Sequence, residues 1–371
     1  MVTDSNQWFR ISNPDEVNSP ALLIYPERIG ENIERMIASV QDKSLLWPHV
    51  KTHKMPEIVR MMMKHGITRF KCATIAEAEV AAESGPDEIL LAYQTVGPNI
   101  RRYFELQKKY PGVSVSCLVD SEEVAAKLSE MSAVFGIPAK VWIDINNGMN
   151  RTGIAPGQEA LHLFRILKSL PGLDPQGLHV YDGHLHESDF TIRKQMCDEA
   201  YGTVGPMITE LRSDGYKLRI IAGGTPTFTI HAAREGVEVS PGTATLWDYG
   251  YSSSFADLQF LHAAVLLARV VSKPAEGLVC IDLGTKAVAS EMPHPRIKIL
   301  GMENYEFITH NEEHMVIRPG KEEKLNIGDI LYCIPFHICP TVDRYNTVYV
   351  AERGMVTGEW EVEGRKRKIS I

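Results

Sequence analysis

The 371-residue sequence has no CxxC pair among its six cysteines, which stand at 72, 117, 197, 280, 333 and 339. That scatter excludes a disulfide framework and a zinc ribbon, although a single cysteine can still ligate a metal. The first ten residues, MVTDSNQWFR, lack the basic and then apolar regions of an export signal. No apolar run is long enough to span a bilayer, and the most apolar later stretch, Phe260 to Val271, is broken by His262 and Arg269. A cytoplasmic location is expected. Long lysine or arginine runs are missing too, and the formal net charge is −8. This balance argues against nucleic acid or a membrane as partner and in favour of a small molecule.

What is present is a globular composition, 44% hydrophobic, in a chain long enough for two domains. From residue 20 to about 250, short β-rich runs such as ALLIY (21–25), RFKCA (69–73), EILLAY (88–93), KVWIDI (140–145) and GLHVY (177–181) alternate with helical patterns. The pattern predicts an α/β fold: a TIM-type (β/α)8 barrel over residues 18–255. Beyond it the texture turns β-rich, predicting a separate β domain over 256–371, with residues 1–17 packing on it. Chemistry in such barrels sits at the C-terminal ends of strands. Lys51, Arg151, Tyr181, Gly224 and Gly242 all fall at such ends.

The segment WPHVKTHK, Trp47 to Lys54, sets Lys51 among two histidines and a second lysine. Neighbouring positive charge disfavours an ammonium, and a neutral amine is what a carbonyl cofactor needs to form a Schiff base, so pyridoxal phosphate (PLP) is the cofactor to test. In KVWIDINNGMNRTGI, Arg151 can hold a phenolate or carboxylate, or else pin its loop to Asp144. Two glycine turns follow, with Gly223, Gly224 and Thr225 in IAGGTPTF and Gly242 and Thr243 in VSPGTATLWDYG. Each could offer backbone amides to a phosphate. In CIPFHICPTVD, His337 and Cys339 lie two apart on an expected strand, so both point the same way and could share a metal ion, zinc above all. VYDGHLHESD adds Tyr181, Asp182, His184, His186 and Glu187, candidates for acid–base work or a third metal ligand, of which one strand end cannot aim all five inward.

On these motifs the chain resembles, over nearly its whole length, the D-threonine aldolase and D-serine dehydratase group, with the alanine racemase-like, fold-type III architecture of PLP enzymes. The resemblance implies that Lys51 is the Schiff-base lysine, that Arg151 contacts the cofactor's phenolic oxygen, that Tyr181 lies beside the pyridine ring, and that the GGT and PGT turns (Gly224, Thr225, Gly242, Thr243) bind its phosphate. It also implies a divalent metal, Zn2+ or another such as Mn2+ or Mg2+, on His337 and Cys339. The metal pair of this group is His-X-Asp in aldolases and His-X-Cys in D-serine dehydratases, so His337 and Cys339 favour the dehydratase branch. Aldolases of the group read Tyr-His-Gly where this chain has Tyr181, Asp182 and Gly183, so the aldolase base histidine is missing. The expected activity is therefore that of a PLP- and metal-dependent lyase on D-3-hydroxy amino acids, eliminating water to give keto acid and ammonia. The alternatives are retro-aldol cleavage to glycine and an aldehyde, an amino-acid racemase, and a PLP carrier without catalysis. A homodimer is the expected assembly.

Overall fold

A computed structural model describes residues 7–371, and the first six residues, part of the MVTDSNQ segment read above, lie outside the described residues. The chain divides into two compact units. The barrel unit runs from Glu34 to Gly242 and takes back the tail Glu363–Ile371, while the β unit holds the residues up to Ile33 and Thr243–Val362. The division thus departs from the expected boundaries at 18 and 255. The first strand, β1 (Ala21–Ile24), accounts for the difference at the N-terminal boundary. A four-residue run buried throughout carries no mark of which sheet it joins. Its partners decide, and β1 lies in the β unit between β9 (Ala264–Ser272), antiparallel, and β15 (Thr347–Glu352), parallel.

In the barrel unit, β2 (Arg69–Cys72), β3 (Glu88–Gln94), β4 (Ser114–Val119), β5 (Ala139–Ile145), β6 (Leu173–Val180), β7 (Arg219–Ala222) and β8 (Val237–Val239) form a parallel sheet in sequence order. Residues 46–49 take the remaining place: Leu46 bridges to Val239 and His49 to Lys71, both in the parallel sense. The curled sheet is therefore of the TIM type, with seven named strands and the WPHV segment spanning its two edges. Helices such as Pro98–Lys109, Glu122–Phe135 and Gln158–Ser169 connect successive strands.

The interior of the sheet is layered. At the strand starts, the Arg219 guanidinium is clamped by Glu88 (2.8 Å) and Glu238 (2.9 Å). Next come Trp47, Leu90, Leu118, Trp142 and Ile221, with the two indoles edge to face at 6.1 Å. Each such fully buried side chain contributes roughly 1.5–3 kcal/mol of transfer free energy. At the strand ends the filling becomes polar: Lys71, Asp144 and His179 are all buried.

The β unit contains, besides β1, β9 and β15, strands β10 (Val279–Ile281), β11 (Ile297–Ile299), β12 (Tyr305–His310), β13 (Met315–Pro319), β14 (Ile330–Pro335) and β16 (Met355–Glu361). All its pairings except β1–β15 are antiparallel. Phe9, Ile11 and Val17 are buried against Leu23, Val265, Leu267 and Tyr332, so residues 7–17 do pack on this sheet.

Candidate active site

A cavity of about 520 Å³ opens at the C-terminal ends of the barrel strands. Lys51, Arg151 and Tyr181 line it together, joined by His49, Lys71, Gln94, Asp144 and His179. Lys51 sits in a single 3-10 turn, Val50–Thr52, entered from His49, whose Nδ1 accepts the Lys51 backbone N–H at 3.3 Å. Burial first, and then the charges of Lys51 and Lys71, hold the His49 imidazolium well below its usual range, so His49 is neutral. The crowding expected from the motif comes only partly from the motif. Lys54 turns to a buried carboxylate, Glu77, at 2.9 Å, and His53 accepts the Met55 N–H on Nδ1. The second lysine of the cavity is Lys71, from β2.

Lys71 Nζ meets His179 Nε2 at 3.1 Å and Ser240 Oγ at 2.7 Å. His179 Nδ1–H donates to Asp144 Oδ1 at 2.7 Å, and the other Asp144 oxygen accepts from Gln94 (2.7 Å) and Thr152 (2.8 Å). Burial and the nearby Lys51 and Arg151 cations, opposed by Asp144 and Asp182, bring the Lys71 ammonium down to about 7. Burial would raise the Asp144 carboxyl, yet its hydrogen bonds keep it below the ordinary range. Sequence reading missed Lys71 and His179. The available signal was an ionisable side chain inside a buried stretch of strand, FKC in β2 and LHV in β6.

Arg151 forms no ion pair with Asp144, whose oxygens are taken up elsewhere; its exposed guanidinium lies over the Tyr181 ring at 5.0 Å. That ring is seated by two glycines. A Cβ at Gly183 would fall 2.4 Å from the phenol, and one at Gly224 would fall 2.9 Å from its edge. The glycine turns are partly engaged: Gly224 N–H donates to Thr227 Oγ1 (3.3 Å) and Gly242 N–H to Thr225 Oγ1 (2.9 Å). Neither Gly224, Thr225 nor Gly242 lines the cavity.

Asp182, His231 and Cys197 form a second polar cluster in the barrel unit, close enough together to suggest a metal site. Its hydrogen bonds are complete without one. Arg234 donates to His231 Nδ1 at 2.8 Å, so Nε2–H donates to Asp182 at 2.8 Å, and Thr227 Oγ1 donates to the other carboxylate oxygen at 2.7 Å. Burial and the Asp182 charge push the Cys197 thiol up to about 12, and Arg234 lies 3.9 Å from its sulfur. A protonated thiol beside a guanidinium is a poor cation site.

The expected metal pair lies in the β unit, and not on a strand: β14 ends at Pro335, and His337 caps the short helix Ile338–Val342. The two side chains still meet. Burial disfavours the charge on His337, but a hydrogen bond to Cys339 and the carboxylates of Asp248 and Glu291 prevail and raise it to about 9. Glu291 holds Nδ1 at 2.5 Å, so loss of the other ring proton would free Nε2 to join the Cys339 sulfur as a donor pair suited to zinc. Thr243, expected at a phosphate, has its hydroxyl 3.7 Å from the Cys339 sulfur.

The lysine, the phenol seated on glycines and the free guanidinium fit a planar carbonyl cofactor such as PLP. The model of the family "Alanine racemase, N-terminal domain" matches residues 24–250. The chain belongs to that family. A serine dehydratase domain model matches residues 263–351 of this alanine racemase-family chain. It is 27% identical to a D-threonine aldolase from Arthrobacter sp over 357 residues, covering 94% of this chain and 93% of the relative. It is 24% identical to a D-threo-3-hydroxyaspartate dehydratase from Delftia sp. (strain HT23) over 351 residues, covering 88% and 92%. The crystal structure of a D-threonine aldolase from Filomicrobium marinum shares the fold at a TM-score of 0.88 and 24% identity, covering 96% and 98% of the two chains. The expectations of an alanine racemase-like fold and of a PLP-dependent lyase are met by these matches.

Proposed function

We propose that the protein is a D-3-hydroxy amino acid lyase that holds PLP on Lys51 and a divalent metal, zinc foremost, on His337 and Cys339, and that it eliminates water to give keto acid and ammonia. The single observation carrying the choice of branch is the state of Asp182. It occupies the position where aldolases of this group have their base histidine, and it is buried and committed to His231 and Thr227. Nothing at that position can take a proton from a substrate hydroxyl. The retro-aldol reading keeps a place because relatives named as aldolases match across 94% of the chain.

PLP, when bound, supplies an electron-withdrawing ring that stabilises negative charge at the substrate α-carbon. Lys51 is the residue whose amine would hold it, and the same nitrogen is placed to move the α-proton. Arg151 offers guanidinium donors to a phenolic oxygen. Tyr181, fixed by Gly183 and Gly224, presents a flat face to the cavity. A divalent ion on His337 and Cys339 would supply Lewis-acid chemistry at a hydroxyl oxygen, with Glu291 fixing the imidazole's orientation.

The test is an incubation of the purified protein with PLP and zinc against D-serine, D-threonine and D-3-hydroxyaspartate, assaying ammonia with keto acid alongside glycine with aldehyde. Ammonia and keto acid are expected. Glycine and aldehyde would move the assignment to the aldolase branch, and turnover that survives chelation or Cys339→Ala would remove the metal from it.

A further inference from the structure

Two lysines share the cavity, and they differ in how they are held. Lys51 is half-buried on its turn, whereas Lys71 is only 3% exposed. A buried cation ordinarily has a carboxylate against it, and even the half-buried Arg219 has Glu88 and Glu238 at the other end of the same barrel. Lys71 has none within ion-pair distance among the described residues. Two of its three donors go to His179 and Ser240, and the third has no hydrogen-bond partner there. Its Nζ lies 4.9 Å from the centre of the Tyr181 ring.

Lys71 also closes a chain of hydrogen bonds along the cavity. Thr152, next to Arg151, donates to Asp144; Asp144 accepts from His179; Lys71 bridges His179 to Ser240; and Ser240 donates to the Gly223 carbonyl at 2.8 Å. The chain ties the turn bearing Arg151 to the glycine loop. A glutamine could make both of Lys71's contacts without burying a charge, so cross-linking alone does not account for a lysine.

Resting on the PLP reading, we propose that Lys71 is a positioning residue for the cofactor: a second amine whose charge disfavours protonation of the nitrogen through which Lys51 holds the carbonyl group. The groups that bear on it are the Lys51 and Arg151 cations, the Asp144 and Asp182 carboxylates, and neutral His49 and His179. As a like charge in the same cavity, it leaves the attached nitrogen neutral over a wider pH range. Because Lys71 can itself lose its proton, its effect fades as pH rises, and the two nitrogens titrate as a coupled pair.

The experiment adds PLP to wild type, Lys71→Met, Lys71→Gln and Lys71→Arg and follows the visible absorbance of the lysine-bound cofactor from about pH 5 to about pH 10. Thermal melts check that each variant folds, and Lys71→Gln stands in if Lys71→Met does not. Wild type should titrate over a broadened, two-step curve. Lys71→Met and Lys71→Gln should each give a single one-proton step with its midpoint raised by roughly one pH unit, and Lys71→Arg should keep the low midpoint. A neutral variant that titrates like wild type overturns the role of Lys71 while leaving PLP in place. A wild type with no lysine-bound absorbance overturns the cofactor reading, and this inference with it.

Discussion

The barrel unit contains two buried aspartate–histidine pairs, Asp144–His179 at 2.7 Å and Asp182–His231 at 2.8 Å. Both aspartates are held below the usual carboxylate range against the opposing effect of burial. They differ in what stands at the far nitrogen of the histidine. On His231 it is the guanidinium of Arg234, and the remaining neighbours, Thr227 and Cys197, complete the set. On His179 it is Lys71, an amine that titrates near neutrality and lines an open cavity. The same two residue types therefore build a closed structural clasp in one place and a responsive network in the other. What decides is whether the chain of partners ends in a group that can change its charge.

Breaking the closed pair should have the largest effect. Asp182→Ala strips a buried histidine and Thr227 of their acceptor, and a loss of about 3–5 kcal/mol in unfolding free energy is expected by urea titration, since one partner of a buried pair is left uncompensated. A loss no larger than that of a surface substitution would mean that the clasp is not structural. On the open side, Lys51→Ala should abolish the lysine-bound absorbance and cost at least about 10²-fold in turnover, the low end for a missing acid–base group. Retained turnover would remove Lys51 from the chemistry.

The pH dependence of stability sharpens the contrast further. Folded Lys71 releases its proton at about 7, whereas an unfolded lysine keeps it to about 10.4. Between these values the unfolded chain binds the extra proton, so this residue makes stability rise with pH, and below the window its contribution is flat. At about 1.4 kcal/mol per unit, wild type should gain roughly 2 kcal/mol more than Lys71→Met between pH 7 and pH 9, measured as the difference of their urea-unfolding free energies. Equal slopes would place Lys71 in a solvated setting. The smallest effect is expected at His186, which is exposed. His186→Ala should change turnover by less than about twofold, and a larger loss would revive it as an acid–base group.

The alternation of β-rich and helical segments predicted the parallel barrel because its strands, buried on both faces, read as short apolar runs between turn signals. The WPHVKTHK segment marked Lys51, and the positions after the strands marked Arg151 and Tyr181, since chemistry gathers at strand ends in this fold. The first strand was misassigned because ALLI is equally apolar in either sheet, and only its pairing with β9 and β15 commits it. The metal pair was expected on a strand, whereas His337 and Cys339 stand at the start of a helix that follows β14 by two residues. A spacing of two does not distinguish the two settings when neighbouring groups, here Glu291 and Asp248, fix the orientation.

By itself, then, the sequence determined the class of fold and singled out Lys51 as the lysine proposed to anchor the cofactor, because both rest on local pattern and residue type. Which lysine crowds it was decided by tertiary structure alone. Lys54, three residues away along the chain, is carried off by Glu77, and Lys71 arrives from the neighbouring strand to meet His179 and Ser240, 108 and 169 residues further on. Charge acts through distance in space and through burial, and a sequence fixes neither until the sheet has closed.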